Sequence, residues 1–325
     1  MTISVVEAPY TAVMNQKIPQ PLRRLARTIF ARVSGRPRME WVSFSSWQEH
    51  LVHQPREAEE IRRRRELERA LATAAGVRPF IVPGYCWVCR REAAFEVDYN
   101  YAFPIDGLLT PNWREQLRCP QCGLYNRIRA TLQFLQERVL DTPAQSIYIA
   151  EQSTTLFHYL VTQYPNLVGS EYLGDSVDFG VTNSAGFRNE SLTRLTFPDN
   201  TFHCVITQDV LEHIPRFDRA LTEVARVLQP GGAFLFTVPF RPDHEENLVR
   251  AVVEESGEIR HLLPPEYHGD PMQTAGCLAF YQFGWEILDH LRRVGFSEAN
   301  AYPVWSRELG YLGDYHYLFL ARKAA

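Results

Sequence analysis

The chain has 325 residues and a formal net charge of −4, with 45% hydrophobic and 22% charged residues. This composition is typical of a soluble globular protein of about two domains, and it excludes collagen-like, wholly disordered and disulfide-dense chains. The longest uncharged stretch, residues 152–170, is rich in polar side chains, so no membrane span is predicted. The first thirty residues show no secretory signal, and we therefore expect a cytoplasmic location.

Residues 1–80 are predicted to form a basic helical region. They hold 14 Lys and Arg against 8 Asp and Glu, a balance of +6, so the rest of the chain carries −10. Helices are predicted over residues 22–33 and 57–75. Four consecutive arginines, residues 62–65, have glutamates three or four positions away on both sides. This spacing predicts a helix face of ion pairs rather than a surface for nucleic acid.

Residues 81–140 are predicted to form a zinc ribbon with a connecting helix over residues 127–139. Cys86 and Cys89 make one C-x-x-C pair, Cys119 and Cys122 make a second, and 29 residues separate the pairs. Tetrahedral Zn²⁺ takes four such ligands at about 2.3 Å. A redox dithiol would need only one pair. Because cysteine fills all four positions, we expect a structural ion with no position left for water.

From residue 146 onward, apolar strands alternate with helices. This pattern predicts an α/β sheet with parallel strands, which binds its ligands at the carboxyl ends of those strands. The predicted strands are 146–150, 167–171, 204–207, 233–238, 297–304 and 315–321, and the predicted helices are 155–163, 216–228 and 284–294.

Residues 197–215, FPDNTFHCVITQDVLEHIP, and residues 220–233, ALTEVARVLQPGGA, resemble the central motif of class I S-adenosylmethionine-dependent methyltransferases of the methyltransferase type 11-like kind. The resemblance covers residues 146–325. It implies a methyltransferase domain over residues 141–325, with S-adenosylmethionine as cofactor. The implied fold is a Rossmann-like, seven-stranded sheet whose last two strands form a reversed hairpin. An insertion at about residues 240–282 would build a lid over the substrate.

The resemblance also implies roles for residues at the strand ends. Glu171 occupies the position of the acidic residue that holds both ribose hydroxyls of the cofactor. Either Glu190 or Ser191 would meet the adenine amino group. Gln208 and Asp209 end the strand beside which the transferred methyl group would lie.

The first motif of this family is normally a glycine-rich turn, and here the chain departs from it. Residues 149–154 read IAEQST and contain no glycine. The missing glycines imply either a shifted backbone, in which Glu151 or Ser153 takes over the contacts with the cofactor, or weak cofactor binding. Glu171 follows Glu151 by 20 residues, the interval that nucleotide-binding folds require.

Three residues are candidates for catalysis. A base is needed only where an O–H or N–H acceptor must lose its proton. His213 lies about one turn beyond Asp209, near the same sheet edge. Tyr267 and His268 belong to the expected lid.

The substrate remains open between several classes. We favour O- or N-methylation of a small molecule such as a sugar or a secondary metabolite. A carbon acceptor is also open, because the domain order resembles zinc-ribbon deoxysugar C-methyltransferases. RNA is the alternative, since ribosomal-RNA guanine methyltransferases share this order, but the arginines of residues 90–118 are outnumbered by acids. A catalytically degenerate binding protein on the same fold is the third hypothesis. No membrane partner is expected.

Overall fold

The computed structural model describes residues 36–270, 273–314 and 316–325, which form two compact units. The described part of the first unit comprises residues 36–40, 55–133, 304–314 and 316; that of the second comprises residues 41–54, 134–270, 273–303 and 317–325. The helix predicted over residues 22–33 lies outside the described residues. The first unit includes a segment from near the C terminus. The predicted domains are each continuous in sequence, and they assign this segment to the methyltransferase domain.

The helix predicted over residues 57–75 is part of a longer helix, α1 (Trp47–Ala75). Its arginines make the predicted ion pairs: Arg62 contacts Glu59 (Nη2–Oε1, 2.8 Å) and also Glu66, and Arg63 contacts Glu59 (Nε–Oε1, 3.0 Å). These side chains are exposed, so the pairs mainly lower the positive charge that this face presents to solvent.

Two hairpins follow α1 in the first unit. β1 (Phe80–Cys86) pairs antiparallel with β2 (Arg91–Val97), and β3 (Phe103–Ile105) pairs with β4 (Leu108–Thr110). A bridge between Glu96 and Arg118 then brings the next stretch of chain alongside β2. The predicted connecting helix is present as α2 (Asn126–Phe134), continued by a π-helical turn over Leu135–Val139.

A buried cation holds the C-terminal segment of the first unit. The guanidinium of Arg129 donates to the backbone carbonyls of Leu309 (2.7 Å), Gly310 (2.8 Å) and Leu117 (3.2 Å), and it stacks on the Phe95 ring at 3.9 Å. Carbonyl oxygens and an aromatic face both stabilise positive charge, so they compensate for the complete burial of this guanidinium.

A buried acid on α1 also contacts this segment. Glu68 Oε1 accepts hydrogen bonds from the Trp305 indole N–H and the Gly313 backbone N–H, both at 2.8 Å. Burial nevertheless raises the pKa of Glu68 to about 7, because desolvation of the carboxylate outweighs these two bonds.

The raised pKa of Glu68 predicts a pH-dependent loss of stability. The folded state binds this proton more tightly than the unfolded state, so the stabilisation is complete below pH 4.5 and is lost as the pH rises through about 7. We expect Glu68→Gln, which keeps an acceptor oxygen, to raise the free energy of unfolding at pH 8 by about 2 kcal/mol and to change it little at pH 4.5. Urea denaturation at both pH values measures the difference. The exposed control Glu66→Gln should show no such pH dependence, and an equal effect of Glu68→Gln at both pH values would contradict the assignment.

The second unit is built on a mixed sheet. In the described residues the sheet has six strands in the order β15-β16-β8-β7-β5-β6, of which β6, β5, β7 and β8 are parallel to one another. The strands are β5 (Ile147–Ile149), β6 (Leu167–Gly169), β7 (Phe202–Gln208), β8 (Leu228–Thr237), β15 (Phe296–Pro303) and β16 (Tyr317–Lys323). The expected reversed hairpin is present, because β16 runs antiparallel to both β8 and β15.

The resemblance implies seven strands, but the sheet has six in the described residues. At the edge of the sheet next to β6, these residues add a single parallel bridge, between Glu171 and Asn189. The residues just before Asn189 are taken up by a turn, in which the Asn183 side chain accepts from the backbone N–H groups of Ala185 and Phe187, each at 3.0 Å. Turn formation there leaves no run of extended backbone long enough to make another strand.

Three helices of the second unit follow the predicted positions. α3 (Thr155–Leu160) is capped by the Thr154 hydroxyl, which accepts from the Phe157 backbone N–H at 3.2 Å. α4 (Phe217–Val227) and α5 (Glu286–Arg293) each bury one apolar face and leave charged residues on the other. Their apolar faces join the buried strands β7 and β8 in one hydrophobic core.

The insertion predicted at about residues 240–282 forms three small antiparallel pairs. They are β9 (Leu248–Val249) with β14 (Tyr281–Gln282), β10 (Ala251–Val253) with β11 (Ile259–His261), and β12 (Tyr267–Asp270) with β13 (Gln273–Leu278). The insertion is anchored where the Phe280 backbone N–H donates to the Glu212 carbonyl at 2.7 Å. Among the described helices, none is both long and apolar enough to cross a bilayer.

Candidate functional site

Three neighbouring parallel strands end at one edge of the sheet. Ile149 of β5 lies beside Gly169 of β6 and Ile206 of β7, so the residues that follow these strands leave the sheet together. Glu151 follows β5 and Glu171 follows β6, in the arrangement predicted from the sequence. Two carboxylates therefore lie at the edge where α/β sheets bind their ligands.

The glycine-free turn after β5 is held by Glu171. Oε1 of this carboxylate accepts from the backbone N–H groups of Gln152 (2.7 Å) and Ser153 (2.8 Å), and from the Ser153 hydroxyl at 2.8 Å. A carboxylate that accepts several hydrogen bonds at once fixes the backbone of the turn without any glycine. Hydrogen bonds thus tie the predicted cofactor residue Glu171 to the turn that contains Glu151 and Ser153.

Close packing at this edge depends on Gly169, which the sequence reading did not single out. A Cβ atom at Gly169 would lie 2.4 Å from Phe157 Cε2 and 2.7 Å from Gln152 Cγ. The glycine that permits a close approach is therefore in β6, across from the turn, rather than in the turn itself.

Glu190 and Ser191 directly follow Asn189, which forms the bridge with Glu171. The Glu171 carbonyl accepts from the Glu190 backbone N–H at 3.0 Å. The buried Glu190 carboxylate accepts from the Thr196 backbone N–H (3.0 Å) and pairs with Arg188 (Nη2–Oε1, 2.8 Å). Ser191 Oγ lies 2.9 Å from the Thr193 hydroxyl. Both residues lie near the sheet edge, and the contact of either with adenine stays a prediction.

Asp209 leaves β7 in a left-handed backbone conformation with φ of 55°. Its carboxylate accepts from the Thr237 hydroxyl at 2.9 Å, and its backbone N–H donates to the Thr237 carbonyl at 3.1 Å. Aspartate tolerates this conformation better than most residues. Gln208, the last residue of β7, is buried. Its side-chain amide donates to the Thr207 carbonyl at 3.3 Å.

A cluster of one carboxylate and two histidines lies just beyond Asp209. Glu212 and His213 lie on a single 3₁₀ turn, and His268 reaches them from β12. Glu212 Oε1 is 3.6 Å from His213 Nε2 and 3.4 Å from His268 Nδ1. The structure therefore joins two of the three predicted catalytic residues. The third, Tyr267, is 57% exposed on the insertion.

Glu212 was missed as a site residue by the sequence reading. It is fully buried directly before His213, and that adjacency was the available signal. Burial raises the pKa of its carboxyl group. The contact with Glu212, followed by that with Glu266, raises the pKa of His268 to about 9, whereas burial opposes this rise. The 3.4 Å separation from Glu212 is long for a hydrogen bond, so we treat it as a contact between charges.

The predicted cysteine quartet converges in the first unit. Cys86 Sγ lies 3.9 Å from Cys122 Sγ, Cys89 Sγ lies 3.8 Å from Cys119 Sγ, and all four sulfur atoms are within 4.8 Å of one another. A tetrahedral ion with bonds of about 2.3 Å requires sulfur atoms about 3.8 Å apart. The four cysteines are thiols rather than disulfides, and their geometry fits a metal ion.

The contacts among the sulfur atoms shift the pKa values of the two cysteines in the second C-x-x-C pair in opposite directions. Hydrogen bonds from the other thiols, with Cys122 first and Cys86 next, lower the pKa of Cys119 well below its ordinary value, whereas the contacts with Cys119 and Cys86 raise that of Cys122. Backbone N–H groups of Cys122 and Gln121 add to the lowering at Cys119, and they would stabilise a bound thiolate in the same way.

Comparison with known proteins yields a family match within the second unit. Residues 158–236 match the family model described as a methyltransferase domain. The fatty-acid O-methyltransferase of Mycolicibacterium smegmatis is 56% identical over 43 residues, which are 13% of this chain and 16% of that protein. The ubiquinone/menaquinone biosynthesis C-methyltransferase UbiE of Cellvibrio japonicus is 36% identical over 75 residues, which are 23% of this chain and 30% of that protein.

Solved structures give more distant matches. The crystal structure of Burkholderia thailandensis 1,6-didemethyltoxoflavin-N1-methyltransferase, with bound 1,6-didemethyltoxoflavin and S-adenosylhomocysteine, is 16% identical, with a TM-score of 0.35 over 61% of this chain and 79% of that one. The chain spans less than a third of the length of the first curated relatives it matches. The family match runs from α3 through β7 into β8, across the sheet edge described above. Through residues 158–236, the chain is therefore similar to methyltransferase domains.

Proposed function

We propose that this chain is an S-adenosylmethionine-dependent methyltransferase that methylates an oxygen or nitrogen atom of a small molecule. The observation that supports this proposal best is Glu171 at the carboxyl edge of the sheet, where it holds the turn after β5. The family match includes this residue and the end of β7.

The cofactor would lie along the edge formed by β5, β6 and β7. The hydrogen bonds that Glu171 accepts from the turn all reach Oε1, so we assign the ribose hydroxyls to its second oxygen, Oε2. Glu151 and Ser153 would line the methionine moiety in place of the missing glycines. Gln208 and Asp209 would flank the methyl group, and Glu190 or Ser191 would meet the adenine.

Methyl transfer from a sulfonium ion is an in-line displacement, so the protein contributes mainly by positioning the acceptor and excluding water. The insertion is well placed for both tasks, because its backbone is tied to Glu212 at the carboxyl edge. His213 and His268 lie together there, which makes this cluster the proposed acceptor side. Tyr267 would contribute only from the surface of the insertion.

The cysteine quartet is proposed to hold a structural Zn²⁺ ion. The ligands would be the sulfur atoms of Cys86, Cys89, Cys119 and Cys122. Bound there, the ion would cross-link the β1–β2 hairpin to the turn that precedes α2. A small-molecule acceptor is favoured over RNA because arginines of this unit pair with acids, as Arg118 does with Glu96 (3.5 Å) and Arg127 with Glu115 (2.6 Å).

Isothermal titration of the zinc-loaded protein with S-adenosylmethionine tests the proposal. We expect one cofactor to bind per chain, and we expect the demethylated product S-adenosylhomocysteine to compete for the same site. Folded, zinc-loaded protein that binds neither compound would refute the proposed function. Binding of a polyribonucleotide that weakens steeply with added salt would shift the assignment of the acceptor to RNA.

A further inference from the structure

We propose that Glu212, His213 and His268 form a second metal site, separate from the cysteine quartet, that binds a divalent transition-metal ion. The ligand atoms would be Glu212 Oε1, His213 Nε2 and His268 Nδ1. Two imidazoles and one carboxylate are ligands that suit zinc, iron and cobalt in the divalent state.

The separations of Glu212 from the two histidines match such an ion. Nitrogen and oxygen ligands bind these metals at about 2.0–2.2 Å, which places neighbouring ligand atoms about 3.0–3.6 Å apart. Glu212 Oε1 is 3.4 Å from His268 Nδ1 and 3.6 Å from His213 Nε2, and one ligand atom from each of the three residues lies within 4.8 Å of the other two. The cluster therefore needs little movement to bind an ion.

Each histidine is oriented by a hydrogen bond through its other ring nitrogen. His213 Nδ1 is 2.8 Å from the Leu278 carbonyl, which can only accept, so this nitrogen carries the proton and Nε2 turns its lone pair toward Glu212. His268 Nε2 is 3.0 Å from Glu266 Oε1, which leaves Nδ1 facing Glu212. Histidines that ligate metals are held by a carbonyl or a carboxylate in this way.

Glu212 supplies an independent observation. Its carboxylate is fully buried, and neither oxygen atom has a hydrogen-bond partner within the part of the chain that the structure describes. A buried carboxylate is costly unless it is paired or coordinates a metal, and the groups nearest to this one are the two imidazoles that would share the ion with it. Glu266, by contrast, is already satisfied, because its Oε2 lies 3.1 Å from Gln282 Nε2 and 3.3 Å from Arg250 Nη2.

Three protein ligands leave coordination positions open on the ion. A site of this kind binds water or a substrate atom in those positions. We infer that the ligand taken up there is an oxygen or nitrogen donor of a small molecule. That last step rests on the proposed function, whereas metal binding itself does not.

Cobalt(II) titration of the full-length chain, loaded with a single Zn²⁺ per chain that the four thiolates bind in preference, tests the site. Zn²⁺ binds more tightly than Co²⁺, so the loaded quartet should retain its zinc. Replacement of that zinc by Co²⁺ would appear as a thiolate-to-cobalt absorption band. We expect one Co²⁺ to bind per chain with visible d–d absorption and without that thiolate band. His268→Ala should abolish this absorption, and Glu266→Gln should weaken Co²⁺ binding about 10- to 100-fold.

Two comparisons keep the test decisive. His244→Ala removes an exposed histidine outside the cluster, paired with Asp243 at 2.8 Å, and should leave Co²⁺ binding unchanged. Glu266→Gln keeps the shape of its side chain, so it reports on the site even where His268→Ala fails to fold. Absence of a bound Co²⁺, or binding that Glu266→Gln and His268→Ala leave intact, overturns the proposal and identifies the cluster as a metal-free ion pair. S-adenosylmethionine titration of the same samples shows separately whether the proposed function stands.

Discussion

Replacing Cys119 with alanine is expected to remove the metal from the quartet and to unfold the module around it. Structural zinc sites contribute about 10–16 kcal/mol of binding free energy in small zinc domains, as much as the whole stability of an ordinary domain. The three remaining thiols cannot close a tetrahedral shell. We expect zinc bound at the quartet to fall from one ion per chain to none, together with loss of hydrogen-exchange protection in β1 and β2.

Cys204→Ala is the matched control for this experiment. Cys204 is equally buried, but it lies in β7 and takes no part in the quartet. Its removal should cost about 1 kcal/mol as a small cavity and leave zinc unchanged. A Cys119→Ala chain that retains quartet zinc and protected amides in the β1–β2 hairpin would show that the sulfur cluster is not a metal site.

The second large effect is expected at Glu171. Hydrogen bonds to a charged group are each worth about 1.5–3 kcal/mol, so losing two ribose contacts in Glu171→Ala should weaken S-adenosylmethionine binding about 100-fold or more. The same substitution removes the acceptor that holds the backbone N–H groups of Gln152 and Ser153. Both consequences lower affinity, and isothermal titration measures their sum.

Glu171→Gln separates these two contributions. Glutamine keeps one acceptor oxygen for the turn but offers an amide where a ribose hydroxyl would donate, so we expect a loss of about 10-fold. Asp178→Asn changes an exposed carboxylate of the following loop and should leave the affinity unchanged. If Glu171→Ala binds the cofactor as tightly as the unaltered chain, the ribose assignment is wrong and the carboxylate serves only the turn.

Features set by local sequence were predicted correctly. The buried strands β7 and β8 consist of apolar runs, and α4 between them carries one apolar face, so periodicity was enough to place all three. The cysteine pairs were recognisable because a C-x-x-C turn places its two sulfur atoms together by local geometry. Ion pairs on α1 followed from helical spacing in the same way.

Features that depend on distant segments were not predictable in this way. Gly169 is required only because Phe157 and Gln152 pack against it, and Glu212 stands out only when His268 arrives from an insertion more than fifty residues later. The seventh strand implied by the resemblance is not confirmed in the described residues, where the Asn183 side chain forms a turn with the backbone N–H groups that follow it.

The alternation of strands and helices, the two cysteine pairs and the likeness to methyltransferases could be predicted from the chain alone, because each is encoded in contiguous residues. The contacts by which Glu171 holds the glycine-free turn, and the meeting of one carboxylate with two histidines beside Asp209, instead join residues from separate elements. Hydrogen bonds and metal ligation act over only about 2–4 Å. Segments far apart in the chain come that close only after the whole sheet has formed.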